Sequence, residues 1–294
     1  MSQIHSPLPR SHAAELALAL VCLIWGSTFV LVKNALGDIS TILFLALRFS
    51  IATIVLFAVF RARGGRPTTA GLGAGLLTGA MLYTGYAFQT TGLRYTTPAT
   101  SGFITGLYIV IVPILSAIVY RRMPRLAEWT GIAVASIGMG LLTLTPGRLA
   151  FGAGELLTLG CAVVFAVHIL MLGHFAKRMS TDWLSFLQIA ACAAIGLTTY
   201  WWVEPVVLRW TPALAGALAV TSLLATALAF WIQTWAQART TPTRAALIFS
   251  LEPVFAWLAS WLLQGEVLTL RAAAGAGCIL AGILLVELKP VGTE

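Results

Sequence analysis

Long apolar runs follow one another along almost the whole chain, with only short polar connections between them. The first includes ALALVCLIWGSTFVLV over residues 17–32. A helix that crosses a membrane needs about 20 predominantly apolar residues, and ten runs of about that length can be read from the sequence. We number these predicted spans 1 to 10; they cover about residues 13–33, 40–60, 70–90, 98–120, 128–145, 153–174, 182–202, 213–237, 242–263 and 269–288. The sequence therefore predicts an all-α membrane protein with ten transmembrane helices.

The composition excludes a soluble domain and argues against nucleic acid as a partner. Only 10% of the residues are charged and 59% are hydrophobic, whereas soluble domains have about 25% charged residues. The net charge of +8 comes from short basic clusters between apolar runs, and such clusters usually orient membrane helices. We therefore expect membrane lipid and a small-molecule substrate as partners, and no nucleic acid.

The distribution of Lys and Arg predicts how the chain is oriented. With the N-terminus in the cytoplasm, most basic residues lie in cytoplasmic connections, among them Arg61, Arg121, Arg125, Lys177 and Arg178. Membrane proteins carry such an excess on their cytoplasmic side. Because the number of spans is even, both termini are then cytoplasmic. The first apolar run is too long for the apolar core of a signal peptide, so we expect it to be retained as span 1.

Two similar polar phrases indicate an internal repeat. Residues 89–98 read QTTGLRYTTP and residues 233–242 read QTWAQARTTP, so five of ten letters agree at a separation of 144 residues. Each phrase ends in Thr-Pro, which suits the N-cap and the first residue of a helix. The correspondence extends along the chain and divides it into an N-terminal tail (1–12), a first five-helix unit (13–147), a second five-helix unit (148–289) and a C-terminal tail (290–294).

The odd number of spans in each unit predicts that the second unit enters the membrane in the opposite orientation. Inverted repeats are a common construction of secondary transporters, whose substrate site lies near the membrane midplane between the repeats. The sequence thus predicts two inverted five-helix repeats with a central site. A chain that carries both repeats can work as a monomer.

Several segments resemble one family of transporters. The stretches LIWGSTFVLVKNAL (23–36), LRFSIA (47–52), FITGLYIVIVPILSAI (103–118) and RAALIFSLEPVFAWLASWLLQGEVL (244–268) are similar to EamA-type members of the drug/metabolite transporter superfamily. The resemblance covers nearly the whole chain. It implies a multi-pass transporter of the bacterial inner membrane, usually an exporter of amino acids, aromatic ones included, or of related metabolites. It also implies a central cavity lined by spans 1, 3, 4, 6, 8 and 9, without fixing the substrate.

Glu252 is the acidic residue placed deepest within a span. It lies ten residues after Pro242, roughly 15 Å along a helix at 1.5 Å per residue, near the midplane of a roughly 30 Å hydrocarbon core. Its carboxyl group either binds a substrate amine or carries a proton, or it serves the structure of a helix kinked by Pro253, which also frees a carbonyl one turn earlier. His168, in the middle of span 6, is the second candidate for proton coupling because imidazole titrates near neutral pH; a packing role is equally open.

Arg48 lies within span 2, and the matched position in the second unit, 140 residues later, holds Gln188. Four extra residues near 201–212 in the second unit account for the change of the separation from 140 to 144. A buried arginine needs a partner or water, and a substrate carboxylate is one such partner. The resemblance implies that span 2 is peripheral, and the repeat keeps polarity there without charge. We therefore expect a structural role for Arg48.

Aromatic and neutral polar side chains complete the predicted substrate site. Tyr and Trp combine an apolar face with a hydrogen-bonding group and suit amphipathic solutes. Together with nearby hydroxyl and amide groups, they favour a zwitterion with an apolar side chain. The predicted substrate-binding residues are Trp25, Ser27, Thr28, Tyr83, Tyr86, Gln89, Tyr108, His168, Trp231, Gln233 and Glu252.

Motifs that the chain lacks narrow the function further. It contains no phosphate-binding loop of the form GxxxxGK followed by Ser or Thr, no HExxH and no GxSxG, and its four cysteines show no CxxC spacing. We therefore expect neither an ATPase nor another enzyme, and no metal or cofactor. The sequence favours alternating-access export of small metabolites, above all of aromatic or other hydrophobic amino acids. The alternatives are an exporter or facilitator of other solutes, such as nucleosides or toxic compounds, and, from a different class, an intramembrane enzyme. Proton antiport and facilitated diffusion both stay open.

Overall fold

The computed structural model describes residues 12–61, 68–121, 123–144, 152–264 and 269–288. The predicted tails lie outside the described residues, except for His12. Within the described ranges the chain is helical apart from its connections and one isolated bridge between Ile39 and Leu208. The helices are α1 (His12–Ala35), α2 (Thr41–Arg61), α3 (Thr69–Tyr95), α4 (Pro98–Gly106), α5 (Tyr108–Tyr120), α6 (Leu126–Thr143), α7 (Ala153–Phe175), α8 (Thr181–Val203), α9 (Pro212–Ser222), α10 (Ala229–Gln237), α11 (Pro242–Phe249), α12 (Glu252–Gln264) and α13 (Leu270–Leu288), with a π-helical segment, Leu223–Leu228, between α9 and α10.

In the described ranges, six helical stretches are long and apolar enough to cross a membrane. They are His12–Ala35, Thr41–Arg61, Thr100–Tyr120, Ala153–Phe175, Thr181–Val203 and Pro212–Gln237. Two shorter apolar helices cover Leu126–Leu142 and Leu270–Val286. The described residues therefore confirm the predicted all-α fold class with membrane-spanning helices.

Predicted spans 4 and 9 are each broken in the middle, and the breaks correspond. α4 ends at Gly106 and α5 begins at Tyr108, so Leu107 separates them; α11 ends at Phe249 and α12 begins at Glu252. Leu107 and Leu251, which lies in the second break, are 144 residues apart, the same separation as the two polar phrases. Discontinuous helices at corresponding positions of two repeats are a common feature of transporter binding sites.

Thr-Pro pairs begin both broken helices, as the sequence predicts. The hydroxyl of Thr97 accepts a hydrogen bond from Thr100 N, with Pro98 at the first helical position. The hydroxyl of Thr241 accepts one from Arg244 N, and Pro242 follows it. Each cap satisfies a backbone N–H that the first turn leaves free. The repeated Thr-Thr-Pro phrase is therefore a helix start in both halves.

Glycines bring α6 and α13 into backbone contact and show that these helices run antiparallel. A Cβ atom added at Gly131 would lie 2.6 Å from the carbonyl oxygen of Gly282, and one added at Gly138 would lie 2.6 Å from that of Gly275. The lower-numbered glycine of α6 thus meets the higher-numbered glycine of α13. Gly131 corresponds to Gly275 and Gly138 to Gly282 in the repeat. Exchanging the two units therefore turns each of these glycine contacts into the other, as a twofold axis between α6 and α13 requires.

The connections α1–α2 and α8–α9 pair with one another at one end of the bundle. Ser40 N donates to Val207 O at 3.0 Å, and Arg209 N donates to Asp38 O at 2.7 Å. The Asp38 carboxylate also accepts from the hydroxyl of Thr211 at 2.8 Å. This pairing uses the extra residues that the second unit carries after span 7, and it ties the two halves together.

Candidate functional site

A cavity of about 60 Å³ lies where the broken helices meet the centre of the bundle. A water molecule needs on the order of 10–15 Å³ of such space, so several waters fit. Eight of the predicted site residues line this cavity: Trp25, Thr28, Tyr86, Gln89, Tyr108, His168, Gln233 and Glu252. They come from α1, α3, α5, α7, α10 and α12. The structure thus brings together side chains that are spread over most of the chain.

Tyr108 and Glu252 face each other at the two helix breaks. Each is the first residue of the second half of its broken helix, and they are 144 residues apart. The Tyr108 hydroxyl lies 3.4 Å from Glu252 Oε2, longer than the usual 2.5–3.0 Å for an O–H donor. Among the described residues, no Lys, Arg or His forms an ion pair with the Glu252 carboxyl group. That group is therefore held by one long hydrogen bond and is half-buried beside the cavity.

The carbonyl predicted to be freed by Pro253 belongs to Phe249. Proline has no backbone N–H, so the carbonyl four residues earlier loses its helical partner. The Tyr108 hydroxyl lies 3.5 Å from this oxygen, and both Tyr108 and Phe249 line the cavity. The carbonyl that Pro253 leaves without a helical partner is therefore approached by a side chain of the cavity lining.

The aromatic wall of the cavity is centred on Trp25. Its ring lies 5.3 Å from that of Phe230 and 5.5 Å from that of Phe249, measured between centroids. Its indole Nε1 donates to the carbonyl oxygen of Ala225 at 2.9 Å. Ala225 lies in the π-helical segment, whose wider turn leaves carbonyls free to bond elsewhere; π segments are frequent at functional sites. Trp25 is thus fixed in orientation, with its apolar face available to a solute.

A buried chain of hydrogen bonds positions His168. The Thr234 hydroxyl donates to Phe230 O at 2.7 Å, so it accepts from Gln188 Nε2 at 3.2 Å. The Gln188 amide oxygen then accepts from His168 Nε2 at 3.0 Å. The network assigns the proton of neutral His168 to Nε2 and leaves Nδ1 as an acceptor.

Two glutamines supply neutral polar groups to the cavity. Gln89 Nε2 donates to the Thr105 hydroxyl at 3.2 Å. Gln233 Nε2 donates to Gln237 Oε1 at 3.0 Å, and Gln237 Nε2 donates to Ile169 O at 3.1 Å. The amide oxygen of Gln233 is buried and has no hydrogen-bond partner among the described residues. It is an unsatisfied acceptor on a residue that lines the cavity.

Three predicted site residues are absent from the cavity lining and use their polar atoms elsewhere. The Ser27 hydroxyl donates to Ile24 O within α1. The Tyr83 hydroxyl lies 3.0 Å from the Thr199 hydroxyl of α8, and Trp231 Nε1 donates to Asp182 Oδ1 at 2.8 Å. Tyr83 and Trp231 thus join neighbouring helices, whereas Ser27 bonds within its own helix.

Arg48 departs from the sequence expectation, because it lines the cavity although span 2 was expected to be peripheral. Its side chain is only 3% exposed. Nε donates to the Thr226 hydroxyl at 2.7 Å, and Nη2 contacts the Tyr86 hydroxyl at 3.2 Å and Ala225 O at 3.4 Å. The signal available in the sequence was the charge itself, since a cation within a span must face protein or water.

The comparison with known proteins identifies the family. The model of the EamA-like transporter family matches residues 12–144 and again residues 152–288. The chain belongs to the EamA-like transporter family. The family resemblance seen in the sequence is therefore confirmed, and the chain is a multi-pass membrane transporter.

Relatives of this EamA-like protein extend over nearly its full length. An uncharacterized transporter of Archaeoglobus fulgidus is 35% identical, over 94% of this chain and 86% of the relative. The uncharacterized transporter YvbV of Bacillus subtilis is 25% identical, over 96% of this chain and 93% of the relative. One solved crystal structure superposes with a TM-score of 0.80 at 22% identity, covering 95% of this chain and 98% of that one. The names of these relatives give no substrate, and the superposition shows the fold alone.

Proposed function

We propose that this EamA-like protein exports small metabolites as a secondary transporter with alternating access, and that its preferred substrates are amino acids with aromatic or other hydrophobic side chains. One observation carries the proposal. The half-buried carboxyl group of Glu252, at the break of one helix, meets Tyr108 at the matched break of the other, inside a cavity walled by Trp25 and phenylalanine rings. A carboxyl group suits a substrate ammonium group, and the rings suit an apolar side chain.

The proposal includes the membrane topology predicted from the sequence. Ten spans form two inverted units, residues 13–147 and 148–289, with both termini in the cytoplasm of the inner membrane. The antiparallel glycine contact between α6 and α13 and the matched helix breaks support this arrangement. Rocking of one unit against the other would then expose the central cavity to each side in turn. A single chain holds the whole cavity, so a monomer is the proposed working unit.

Glu252 is the proposed coupling residue, and His168 is the second candidate. A carboxyl group that is held by one long hydrogen bond and lacks a cationic partner among the described residues can exchange a proton for a substrate ammonium group. His168 has an acceptor nitrogen left over at the same cavity. If neither group moves a proton, the protein is a facilitator driven by the solute gradient alone.

Efflux from proteoliposomes tests this function. The vesicles are loaded with labelled tryptophan, phenylalanine, methionine, a nucleoside or a hydrophobic cation, and release is followed with and without an imposed pH gradient. We expect the three amino acids to leave faster than from protein-free vesicles, and the gradient to change their rate. If the nucleoside or the cation leaves instead and no amino acid does, the proposed substrate class is wrong. If the rate of amino-acid efflux is the same with and without the pH gradient, proton coupling is refuted.

A further inference from the structure

The guanidinium group of Arg48 is a buried charge that has no counter-ion in the part of the chain that the structure describes. Arginine stays protonated in proteins, and only 3% of this residue is exposed. Among the described residues, no carboxylate lies within ion-pair distance of it. A charge in such surroundings is costly unless an opposite charge or several hydrogen bonds compensate it. The cavity that Arg48 lines is where the missing anion would be placed.

The hydrogen bonds of Arg48 occupy one side of the guanidinium group. The Thr226 hydroxyl donates to Thr221 O at 2.7 Å, so it accepts from Arg48 Nε. Nη2 contacts the Tyr86 hydroxyl and Ala225 O, and the guanidinium carbon lies 4.6 Å from the centre of the Tyr86 ring. Nη1 has no partner among the described residues. Two N–H donors therefore remain unused, on a group whose orientation the other contacts fix.

The π-helical segment, Leu223–Leu228, is what holds this orientation. It supplies both Ala225 O and the Thr226 hydroxyl. Ala225 O also accepts from Trp25 Nε1, so the same segment fixes the guanidinium group and the aromatic wall relative to each other. The planar guanidinium group, with N–H donors that have no partner among the described residues, suits a carboxylate, and the aromatic surface beside it suits an apolar group attached to that carboxylate.

A second unpaired group in the cavity has the opposite polarity. The amide oxygen of Gln233, a residue that is 2% exposed, has no partner among the described residues. Its orientation is fixed because Gln237 Nε2 donates to Ile169 O, so Gln237 Oε1 must accept from Gln233 Nε2. The cavity thus offers an unused cationic donor and an unused acceptor, together with the carboxyl group of Glu252.

We propose that Arg48 binds the carboxylate of the substrate, while Gln233 and Glu252 receive its ammonium group. This assignment rests on the proposed function and specifies the substrate class as compounds with a free carboxylate, namely α-amino acids with an intact carboxyl group. It gives span 2 a part in recognition. The matched position in the second unit, Gln188, bonds instead to His168 and Thr234, so only one of the two repeats binds the carboxylate.

Competition between phenylalanine and its carboxamide tests the role of Arg48. The assay measures how phenylalanine and phenylalaninamide inhibit the efflux of labelled phenylalanine from proteoliposomes. Hydrogen bonds to a charged group predict that wild-type protein prefers phenylalanine by about 10- to 100-fold. Arg48→Gln should bind phenylalanine no better than the amide while keeping its affinity for the amide. Arg48→Lys, which keeps a charge but loses the planar fork, should be intermediate.

Arg94→Gln is the matched control, because Arg94 donates to the Thr41 hydroxyl and to Ile39 O away from the cavity lining. It should leave the preference for phenylalanine unchanged. If wild-type protein treats the two compounds alike, or if Arg48→Gln weakens both by the same factor, the assignment is overturned and Arg48 is a structural residue. Should Arg48→Gln fail to fold, wild-type protein and Arg48→Lys decide the question.

A binding measurement separates this assignment from the proposed export of amino acids. Thermal stabilisation of the detergent-solubilised protein is measured with 3-phenylpropionate and with its amide. Stabilisation by the carboxylate alone, lost in Arg48→Gln or reduced in Arg48→Lys, supports the carboxylate site even if no amino acid is exported. The carboxylate site is refuted if both compounds stabilise the protein equally. It is also refuted if neither compound and no amino acid stabilises it.

Discussion

Replacing Gly275 by alanine tests whether α6 and α13 meet through their backbones. The added Cβ atom would lie 2.6 Å from Gly138 O, 2.7 Å from Leu142 N and 3.1 Å from Leu142 Cα. All three are backbone atoms, so no side-chain rotation relieves the overlap, and the helices must separate by roughly an ångström. Overpacking of this kind costs about 1–3 kcal/mol. At about 2–4 °C per kcal/mol for a chain of this size, the unfolding midpoint should fall by about 2–12 °C.

Gly277, two residues further along α13, provides the matched control. A Cβ atom at Gly277 meets nothing within 4 Å, and alanine is favoured over glycine in a helix by about 0.5–1 kcal/mol. Gly277→Ala should therefore leave the midpoint unchanged or raise it slightly. Because Gly138 meets Gly275 across the contact, Gly138→Ala should lower the midpoint about as much as Gly275→Ala does.

A thiol-reactive fluorescent dye can report the unfolding of the detergent-solubilised protein. Cys22, Cys161 and Cys192 are buried free cysteines, so they become reactive only when the bundle opens. Membrane proteins often unfold irreversibly, and the variants should be compared at one heating rate. Equal midpoints for Gly275→Ala and Gly277→Ala would show that the helices do not touch as described. An approximate twofold relation between α6 and α13 would then lose its main support.

Three further substitutions test the site and the helix starts. Glu252→Gln should abolish the effect of a pH gradient on efflux while downhill flux persists. The control Glu128→Gln, outside the cavity lining, should keep that effect. If Glu252→Gln still responds to the gradient, coupling through this residue is refuted. Trp25→Phe and Trp202→Phe each remove one hydrogen bond to a backbone carbonyl. Only Trp25→Phe should raise the substrate concentration for half-maximal efflux. Equal effects of the two substitutions would place Trp25 outside the site. Thr241→Val should lower the unfolding midpoint by about 2–4 °C, since an N-cap is worth about 1 kcal/mol; an unchanged midpoint would show that the cap contributes nothing.

Much of the fold could be predicted because membrane helices obey few rules. Continuous apolar runs indicated the spans, and Thr-Pro at Thr97 and Thr241 indicated two helix starts that the structure confirms. The missing N–H of Pro253 predicted the free carbonyl of Phe249, which the Tyr108 hydroxyl approaches. These inferences depend on local chemistry, which the sequence states directly.

The direction in which each side chain points around its helix could not be predicted in the same way. Apart from Arg48, the polar residues in the middle of span 2 are only Ser50 and Thr53, which form no stripe with it, so the pattern did not indicate that Arg48 turns toward the cavity. Tyr83 and Tyr86 are three residues apart, which is about 300° around a helix of 3.6 residues per turn. That small offset sends one hydroxyl to Thr199 and the other to Arg48. A difference of about 60° decides between a packing residue and a cavity residue, and composition does not resolve it.

The helix interruptions were also beyond the sequence reading. The π-helical segment, Leu223–Leu228, lies within the continuous apolar run of span 8, and nothing in that run distinguishes a π turn from an α turn. The break at Leu107 follows Gly106, whereas the break at Leu251 precedes Pro253. Because different residues accompany the two breaks, the sequence alone did not indicate that the two spans are interrupted at matched positions.

Counterflow of phenylalanine tests the central claim, a single substrate site exposed alternately to each side, most directly. Proteoliposomes are preloaded with a high concentration of unlabelled phenylalanine and diluted into a trace of labelled phenylalanine. Alternating access predicts that label accumulates transiently above its equilibrium level, and that preloading with phenylalaninamide produces far less accumulation. Label that merely equilibrates, whatever the vesicles contain, would show that the cavity is not an alternating-access site for amino acids.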